Sequence, residues 1–349
     1  MTRKHPATTA LLCTAAMWLS VRVAHAQPGE LVGWGSNAFG QVAPLPQGPF
    51  RAVSGGRWHS IGIRADGSLA AWGEGKGGVL FVPAGTFIAV DGGLKWSVGI
   101  RSDRSLVAWG DNVYGQGNVP PGAFMKVSAG ATHGLAVRED GALLGWGSNN
   151  NGEAVAPAGS YIDAAAGTGF SIGLRADGTL VGWGYNPFGN TSVPLGTFVA
   201  VAAGINFAVG LRSDGTLAAW GANNYGQSSP PAGTYRAIAA KSQFALALTT
   251  DDRVVGWGFN LAGQTNPPSG LFASIGAGGY VGHAILRECY SNCDHSTTSP
   301  QLTVNDFICF MNKYSAGDAY CNCDGSTVSP ILNINDFICY INVFSAGCS

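Results

Sequence analysis

The stretch LVAWGDNVYGQ, Leu106 to Gln116, decides the reading of the chain. A short apolar run ends in Trp-Gly and is followed by a polar loop carrying an aromatic residue and Gly-Gln. Comparable runs end in Trp-Gly at Trp34, Trp72, Trp109, Trp146, Trp183, Trp220 and Trp257, with a first step of 38 residues and five further steps of 37. A strict period of this length marks a repeat architecture and has to be explained before any single residue is read as a site.

The other half of the unit is FRAVSGGRWHSIGIRADGSLAAWG, from Phe50, and its frame returns at Phe87, Phe124, Tyr161, Phe198, Tyr235 and Phe272. Three strands are expected per unit: the aromatic-x-Ala-Val piece, an alternating piece such as Ser171–Arg175, and the Trp-Gly piece such as Leu180–Gly184. Asp-Gly at Asp66, Asp140, Asp177 and Asp214 marks a tight hairpin between the second and third. Gly56, Gly93, Gly130, Gly167, Gly204 and Gly278 follow the first strand, with Lys241 as the exception. No helical period runs through the unit, so it suits a propeller blade or a solenoid coil.

The ends separate these alternatives. The first copy begins at Glu30 with only its Trp-Gly strand, and the last stops at Arg287-Glu288 without one. The fragments add up to one unit, as in a ring whose N-terminal strand completes the final blade and removes the exposed edges. The expected fold is all-β: a seven-bladed β-propeller closed between Leu31–Gly35 and Gly282–Arg287, followed by a small α-helical module.

The frame GxxHSxGLRxDGxLVAWGxNxYGQxxVP resembles the repeat of the regulator of chromosome condensation family. It is most similar to the short bacterial form found in secreted β-lactamase inhibitory propellers. The resemblance covers Glu30 to Glu288, about three quarters of the chain. It implies the fold; the same ring serves nucleotide exchange, inhibition and scaffolding. The repeated tryptophans are expected to pack blade against blade, not to form a sugar platform. His59 and His133 share their repeat position with Trp96, Phe170 and Phe207, which is a structural slot, and His283 falls at the Val209 position. No nucleophile–base–acid order or carboxylate pair stands out, so the ring is read as non-enzymatic.

A three-strand blade puts the turn after strand one and the exit of strand three on one face, with the Asp-Gly turns opposite. The first face carries Arg57, Trp58, Lys95, Trp96, Thr132, Asn206, Gln243 and Tyr280, beside the loop aromatics Phe39, Tyr114, Phe188 and Tyr225. Trp58, Trp96, Tyr114, Phe188, Tyr225 and Tyr280 form the candidate binding face. Clustered exposed aromatics are typical of protein hot spots.

Composition bounds the partners. The 349 residues carry a net charge of -1 and only 11% are charged. That is far from the basic profile of a nucleic-acid binder. Arg3 and Lys4, an apolar run from Ala7 and the Ala24-His25-Ala26 site read as an export signal over residues 1–26. The uninterrupted apolar part is too short for a membrane span. The mature protein is then expected outside the cell or at its surface, with a propeller over 27–288 and a Cys-rich module over 289–349.

In that module the repeat is 30 residues, NCDHSTTSPQLTVNDFICFMNKYSAGD and then NCDGSTVSPILNINDFICYINVFSAGC. Each copy pairs an oxygen-rich loop with a short amphipathic helix. It resembles a Cys-containing dockerin, a pair of calcium loop–helix units. Carried over by residue, the resemblance makes Asn292, Asp294, Ser296, Gln301 and Asp306 the ligands of one loop. Asn322, Asp324, Ser326, Ile331 and Asp336 serve the other, with Gln301 and Ile331 offering carbonyls. Two carboxylates per loop and a three-residue insertion imply weak calcium binding. Symmetry suggests one disulfide within each copy, Cys293–Cys309 and Cys323–Cys339, although spacing leaves the connectivity open. The expected partners are a secreted or surface protein on the propeller face and a cohesin-like or other anchoring protein on the module. Inhibition of an exported enzyme and glycan binding are the alternatives.

Overall fold

The structure is a computed structural model that describes residues 28–287. The signal-like segment, the Cys-rich module and the calcium and disulfide candidates lie outside the described residues. Among the described residues no helix is long and apolar enough to cross a membrane.

Seven three-stranded antiparallel sheets follow the repeat. The first blade is β2 (Phe50–Gly55), β3 (His59–Arg64) and β4 (Leu69–Gly73). The second is β5 (Phe87–Gly92), β6 (Trp96–Arg101) and β7 (Leu106–Gly110). The third is β8 (Phe124–Ala129), β9 (His133–Arg138) and β10 (Leu143–Gly147). The fourth is β11 (Tyr161–Ala166), β12 (Phe170–Arg175) and β13 (Leu180–Gly184). The fifth is β14 (Phe198–Ala203), β15 (Phe207–Arg212) and β16 (Leu217–Gly221). The sixth is β17 (Tyr235–Lys241), β18 (Phe244–Thr249) and β19 (Val254–Gly258). The seventh joins β20 (Phe272–Ala277) and β21 (Val281–Leu286) to the N-terminal β1 (Leu31–Gly35).

The expected closure is observed, with Leu31 opposite Ile285 and Gly35 opposite Val281. The closing strand starts one residue earlier than the sequence suggested. First strands run to Ala203-type positions rather than stopping at Val201, because the turn glycine lies beyond two further paired residues. Every first strand carries a bulge at its second residue, as between Phe50 and Ala52. That extra residue frees the leading aromatic to turn into the seam between blades.

Phe50, Phe87, Phe124, Tyr161, Phe198, Tyr235 and Phe272 are all buried. The core is a set of such seams. Ile172 and Leu174 of the fourth blade pack with Phe198 and Trp220 of the fifth. Trp34 enters the seam of the sixth and seventh blades beside Phe244, Leu246 and Phe272.

Each repeated tryptophan also donates Nε1–H to a carbonyl in the connection that enters its own blade. The acceptors are Gln41 for Trp72, Val79 for Trp109, Gln116 for Trp146, Glu153 for Trp183, Asn190 for Trp220 and Gln227 for Trp257, at 2.7–3.0 Å. Trp34 reaches Gln264 at 2.9 Å, so the same bond is made across the closure. These tryptophans therefore do more than pack: each pins a connection between two blades. Trp109 and Trp183 are only partly buried, yet keep the bond. The connection lies so close to the preceding outer strand that a Cβ on Gly145 would collide with the Ala154 carbonyl.

The turns between first and second strands are linked around the ring by backbone bonds such as Arg57 N–H to Gly93 O, 3.1 Å, and Gly279 N–H to Gly56 O, 2.8 Å. The chain enters and leaves on the opposite face. Gly29 bridges to Phe50, and Leu286 N–H donates to Glu30 O.

Trp220 separates the two roles of its class. Trp220→Ala is expected to lower unfolding free energy by about 3–5 kcal/mol. Trp220→Phe, which retains a ring but strands the Asn190 carbonyl, should lower it by about 1–3 kcal/mol. Denaturant titration of both variants checks the order; equal losses would mean the indole N–H contributes all of it.

Candidate binding face

The connections leaving the outer strands are built as rigid loops by their own polar residues. Asn37 Oδ1 accepts from Val42 and Ala43 N–H at 2.9 and 3.0 Å, and Asn112, Asn149, Asn186, Asn223 and Asn260 accept from the N–H five residues on. Buried Gln41, Gln116, Gln227 and Gln264 each accept, through Oε1, the N–H two residues back, at 2.8–2.9 Å. Gly115, with φ +78°, lets the loop reverse between the aromatic and the glutamine. Asn and Gln thus take over backbone bonds that no strand supplies. In the first blade's exit, the GEGKGGV stretch lacks the glutamine; a short 3-10 turn at Lys76–Gly78 brings Val79 to the same place under Trp109.

That scaffolding turns the loop aromatics outward. Phe39 is 44% exposed, Tyr114 52%, Phe188 50% and Tyr225 48%. Under Phe39, Tyr114 and Tyr225 a buried Gln side chain holds the loop from within, and under Phe188 the buried Asn190 does so by donating to Tyr185 O at 2.6 Å. The exit of strand three bonds back to the turn after strand one, as in Ser36 N–H to Tyr280 O and Glu74 N–H to Trp58 O. The two sets of residues therefore share a face, as expected.

Two aromatic groups form there. Phe39 meets Trp58 edge-on at 6.3 Å, and the Arg57 guanidinium lies 4.6 Å from the Trp58 ring centre. Tyr225 meets Phe259 at 4.9 Å, and Phe259 meets Tyr280 at 6.1 Å. Tyr114 and Phe188 stand apart from both. Phe259, and the exposed Tyr185, were missed in the sequence; both directly follow Trp-Gly at a position filled by Ser, Glu, Asp or Ala elsewhere.

Trp96 does not belong to this face. It is fully buried in β6, and its Nε1 donates to Gly130 and Ala131 carbonyls at 3.3 and 3.1 Å. It occupies the slot shared by His59, His133, Phe170 and Phe207, all buried. The turn glycine three residues earlier admits these rings; a Cβ on Gly93 would overlap the Trp96 indole.

The histidines knit neighbouring blades. His59 Nε2 lies 2.9 Å from Ser97 Oγ, His133 Nε2 2.9 Å from Ser171 Oγ, and His283 Nε2 2.7 Å from Ser60 Oγ across the closure. Ser171 donates its hydroxyl hydrogen to Glu153 O at 2.8 Å, so His133 carries its proton on Nε2. Burial lowers all three histidines to a pKa of about 4.

The first strands enclose a central channel of about 310 Å3 lined by Ser54, Asp91, Lys126, Asp163 and Lys241 among small residues. Burial raises the Asp163 carboxyl above the usual range, opposed by nearby Lys126. Lys241 spans the channel from the sixth blade to the second and third, with Nζ 3.3 Å from Asp91 Oδ1 and 3.0 Å from Ala129 O.

Comparison with known proteins agrees with this architecture. Residues 126–153, 161–190, 198–227 and 235–264 match the profile of the regulator of chromosome condensation (RCC1) repeat. No curated relative matches the sequence. Among solved structures, Prp20p of Saccharomyces cerevisiae is similar with a TM-score of 0.65 at 14% identity, over 83% of this chain and 95% of that one. Human WBSCR16 is similar with a TM-score of 0.64 at 15% identity, over 75% and 100%. The ectodomain of the Physcomitrella patens receptor kinase CR4 follows with a TM-score of 0.55 at 25% identity, over 65% and 68%. The described residues form a seven-bladed β-propeller, and four consecutive repeat segments within 126–264 match the RCC1 repeat.

The histidines set an acid limit. Below pH 6.5 an unfolded chain takes up protons that the folded ring refuses until about pH 4. Stability is therefore complete above pH 6.5 and falls as pH drops through that window, by about 2 kcal/mol per histidine at pH 5. His133→Phe, the residue type of the fourth and fifth blades, is expected to flatten the fall by about one third. Melting temperatures of both proteins between pH 7.5 and 5 decide this; parallel curves would refute it.

Proposed function

We propose that the protein is an exported, non-enzymatic recognition propeller that binds a secreted or surface protein with its loop face. Its Cys-rich C-terminal segment then serves as the anchor. The observation that carries this reading is the set of half-exposed aromatics held outward on loops already braced by Asn and Gln. Aromatic anchors on rigid supports lose little freedom on binding, so more of their contact energy appears as affinity. Prp20p, which shares the fold, has described binding properties to Gsp1p and histones, a precedent for protein partners on such a ring.

The absence of a basic composition favours a protein over nucleic acid as the partner. The export reading rests on residues 1–26, and the anchoring reading on the dockerin-like repeat of residues 289–349. In that repeat Asn292, Asp294, Ser296, Gln301 and Asp306, and their counterparts from Asn322 to Asp336, would hold weak calcium. A cohesin-like domain is the matching partner class. Inhibition of an exported enzyme is a special case of the same recognition.

Affinity capture from the secreted proteome, with the full chain as bait, tests the face. Tyr225→Ala with Tyr280→Ala dismantles one aromatic group and is expected to weaken partner binding at least 30-fold, about 2 kcal/mol, while the fold persists. Capture at wild-type strength would overturn the assignment. Calcium titration by calorimetry of the full chain, beside Asp306→Asn with Asp336→Asn, tests the metal. Heat at millimolar calcium in the parent alone is expected; heat in neither, or equal heat in both, removes the ligand assignment.

A further inference from the structure

The centre of the loop face is a funnel of about 160 Å3 formed by the first turn of every blade, with Leu94, Ala131, Thr168 and Ile205 on its walls. Its lining holds two charged residues, Arg57 and Lys241, and both are cations. We infer that this funnel receives a carboxylate carried on a short apolar stem, presented by the partner bound to the aromatic face. The inference rests on the recognition reading above and adds the chemistry of the group recognised.

Lys241 is the repeat's exception. Six blades have glycine at this turn, where backbones crowd: a Cβ on Gly130 would stand 2.6 Å from the Gly167 carbonyl. The sixth blade accommodates a lysine by extending β17 to pair Lys241 with Phe244 and by placing Ser242 at φ +48°. A non-glycine residue in the left-handed region is a local cost, and no other blade has one at the position of Ser242, although Asn206 takes it one position later in its own turn. The sixth blade thereby brings one ammonium to the boundary between funnel and channel, where Lys241 lines both.

A ligand would draw that ammonium from the Ala129 carbonyl at 3.0 Å and from Asp91. Asp91 has closer donors than Lys241: Ser54 Oγ and Ala129 N–H at 2.7 Å, and its neighbour Gly92 N–H at 2.9 Å, against 3.3 Å for Lys241 Nζ. Asp91 therefore stays satisfied when the ammonium turns upward. Lys241 and Asp91 are each less than one fifth exposed, so a charge entering here is poorly screened. At the rim the Arg57 guanidinium has the Trp58 ring as its one side-chain partner among the described residues, leaving its donors open. A carboxylate between them would gain charge-assisted bonds at both ends, while its stem lies against Leu94 and Ile205.

Phenylacetate and its neutral counterpart phenylacetamide test the funnel in the full chain, read by amide chemical shifts. Phenylacetate should give saturable shifts at Ala131, Thr168 and Ile205, with at least tenfold weaker binding of the amide. Lys241→Met should abolish that preference, and Lys241→Arg should keep most of it. Absence of shifts with the parent protein, or equal binding of acid and amide, overturns the inference whatever the variants do. Partner capture separates the two levels. If Tyr225→Ala with Tyr280→Ala abolishes capture while Lys241→Met leaves it at full strength, recognition by the face stands and the funnel's role in it falls. If neither alters capture, the recognition reading fails first.

Discussion

One hydrogen bond, from an indole N–H to a carbonyl in the connection entering the same blade, organises this ring. A three-stranded blade leaves its chain on one face and must start the next blade on the other, so every connection has to cross the sheet's outer edge. Such a crossing segment has no strand to pair with and would leave its backbone unmet. The tryptophan of the blade it enters fills the apolar seam with its ring and satisfies one carbonyl with its nitrogen. The same device at Trp34 and Gln264 makes the closing seam chemically equivalent to the other six.

The loop face follows from that constraint. Where the crossing segment is pinned at a buried glutamine, as at Gln41, Gln116 and Gln227, the residues before it are forced out over the edge of the blade, and the aromatic two positions earlier faces solvent. Asn and Gln then replace the missing ladder bonds and keep the projection stiff. The packing that stabilises the fold and the exposure of the loop aromatics thus have one origin. The histidine–serine bonds add a second set of links between blades, and they bring with them the sensitivity to acid.

Blade number, the three strands of each blade and closure were legible in the sequence because the tryptophans, leading aromatics and Asp-Gly turns repeat in register; the strand limits shifted by one or two residues because pairing runs on to the turn. The face was legible less completely. Trp96 lies one residue beyond the turn, and without the strand register a one-residue difference decides between solvent and core; its repeat partners His59 and Phe170 already pointed to the core. Phe259 follows a Trp-Gly pair at a position with no repeating character, so periodicity could not reveal that it bridges Tyr225 and Tyr280. Lys241 was conspicuous as the break in a glycine series. Its partner Asp91 is 150 residues away in sequence, a relation that exists only once the ring has closed.

Closure has a mechanical corollary. Because β1 and β21 pair antiparallel in one blade, the bridge at Gly29 and the exit at Arg287 leave the ring side by side on the Asp-Gly face. Any load applied between a tether at one end and a partner on the loop face passes through the axis of the ring instead of along its circumference. Pull on the tail meets the hydrogen bonds of β21 in shear, shared with β1 on one side and β20 on the other, not a single strand edge to be unzipped.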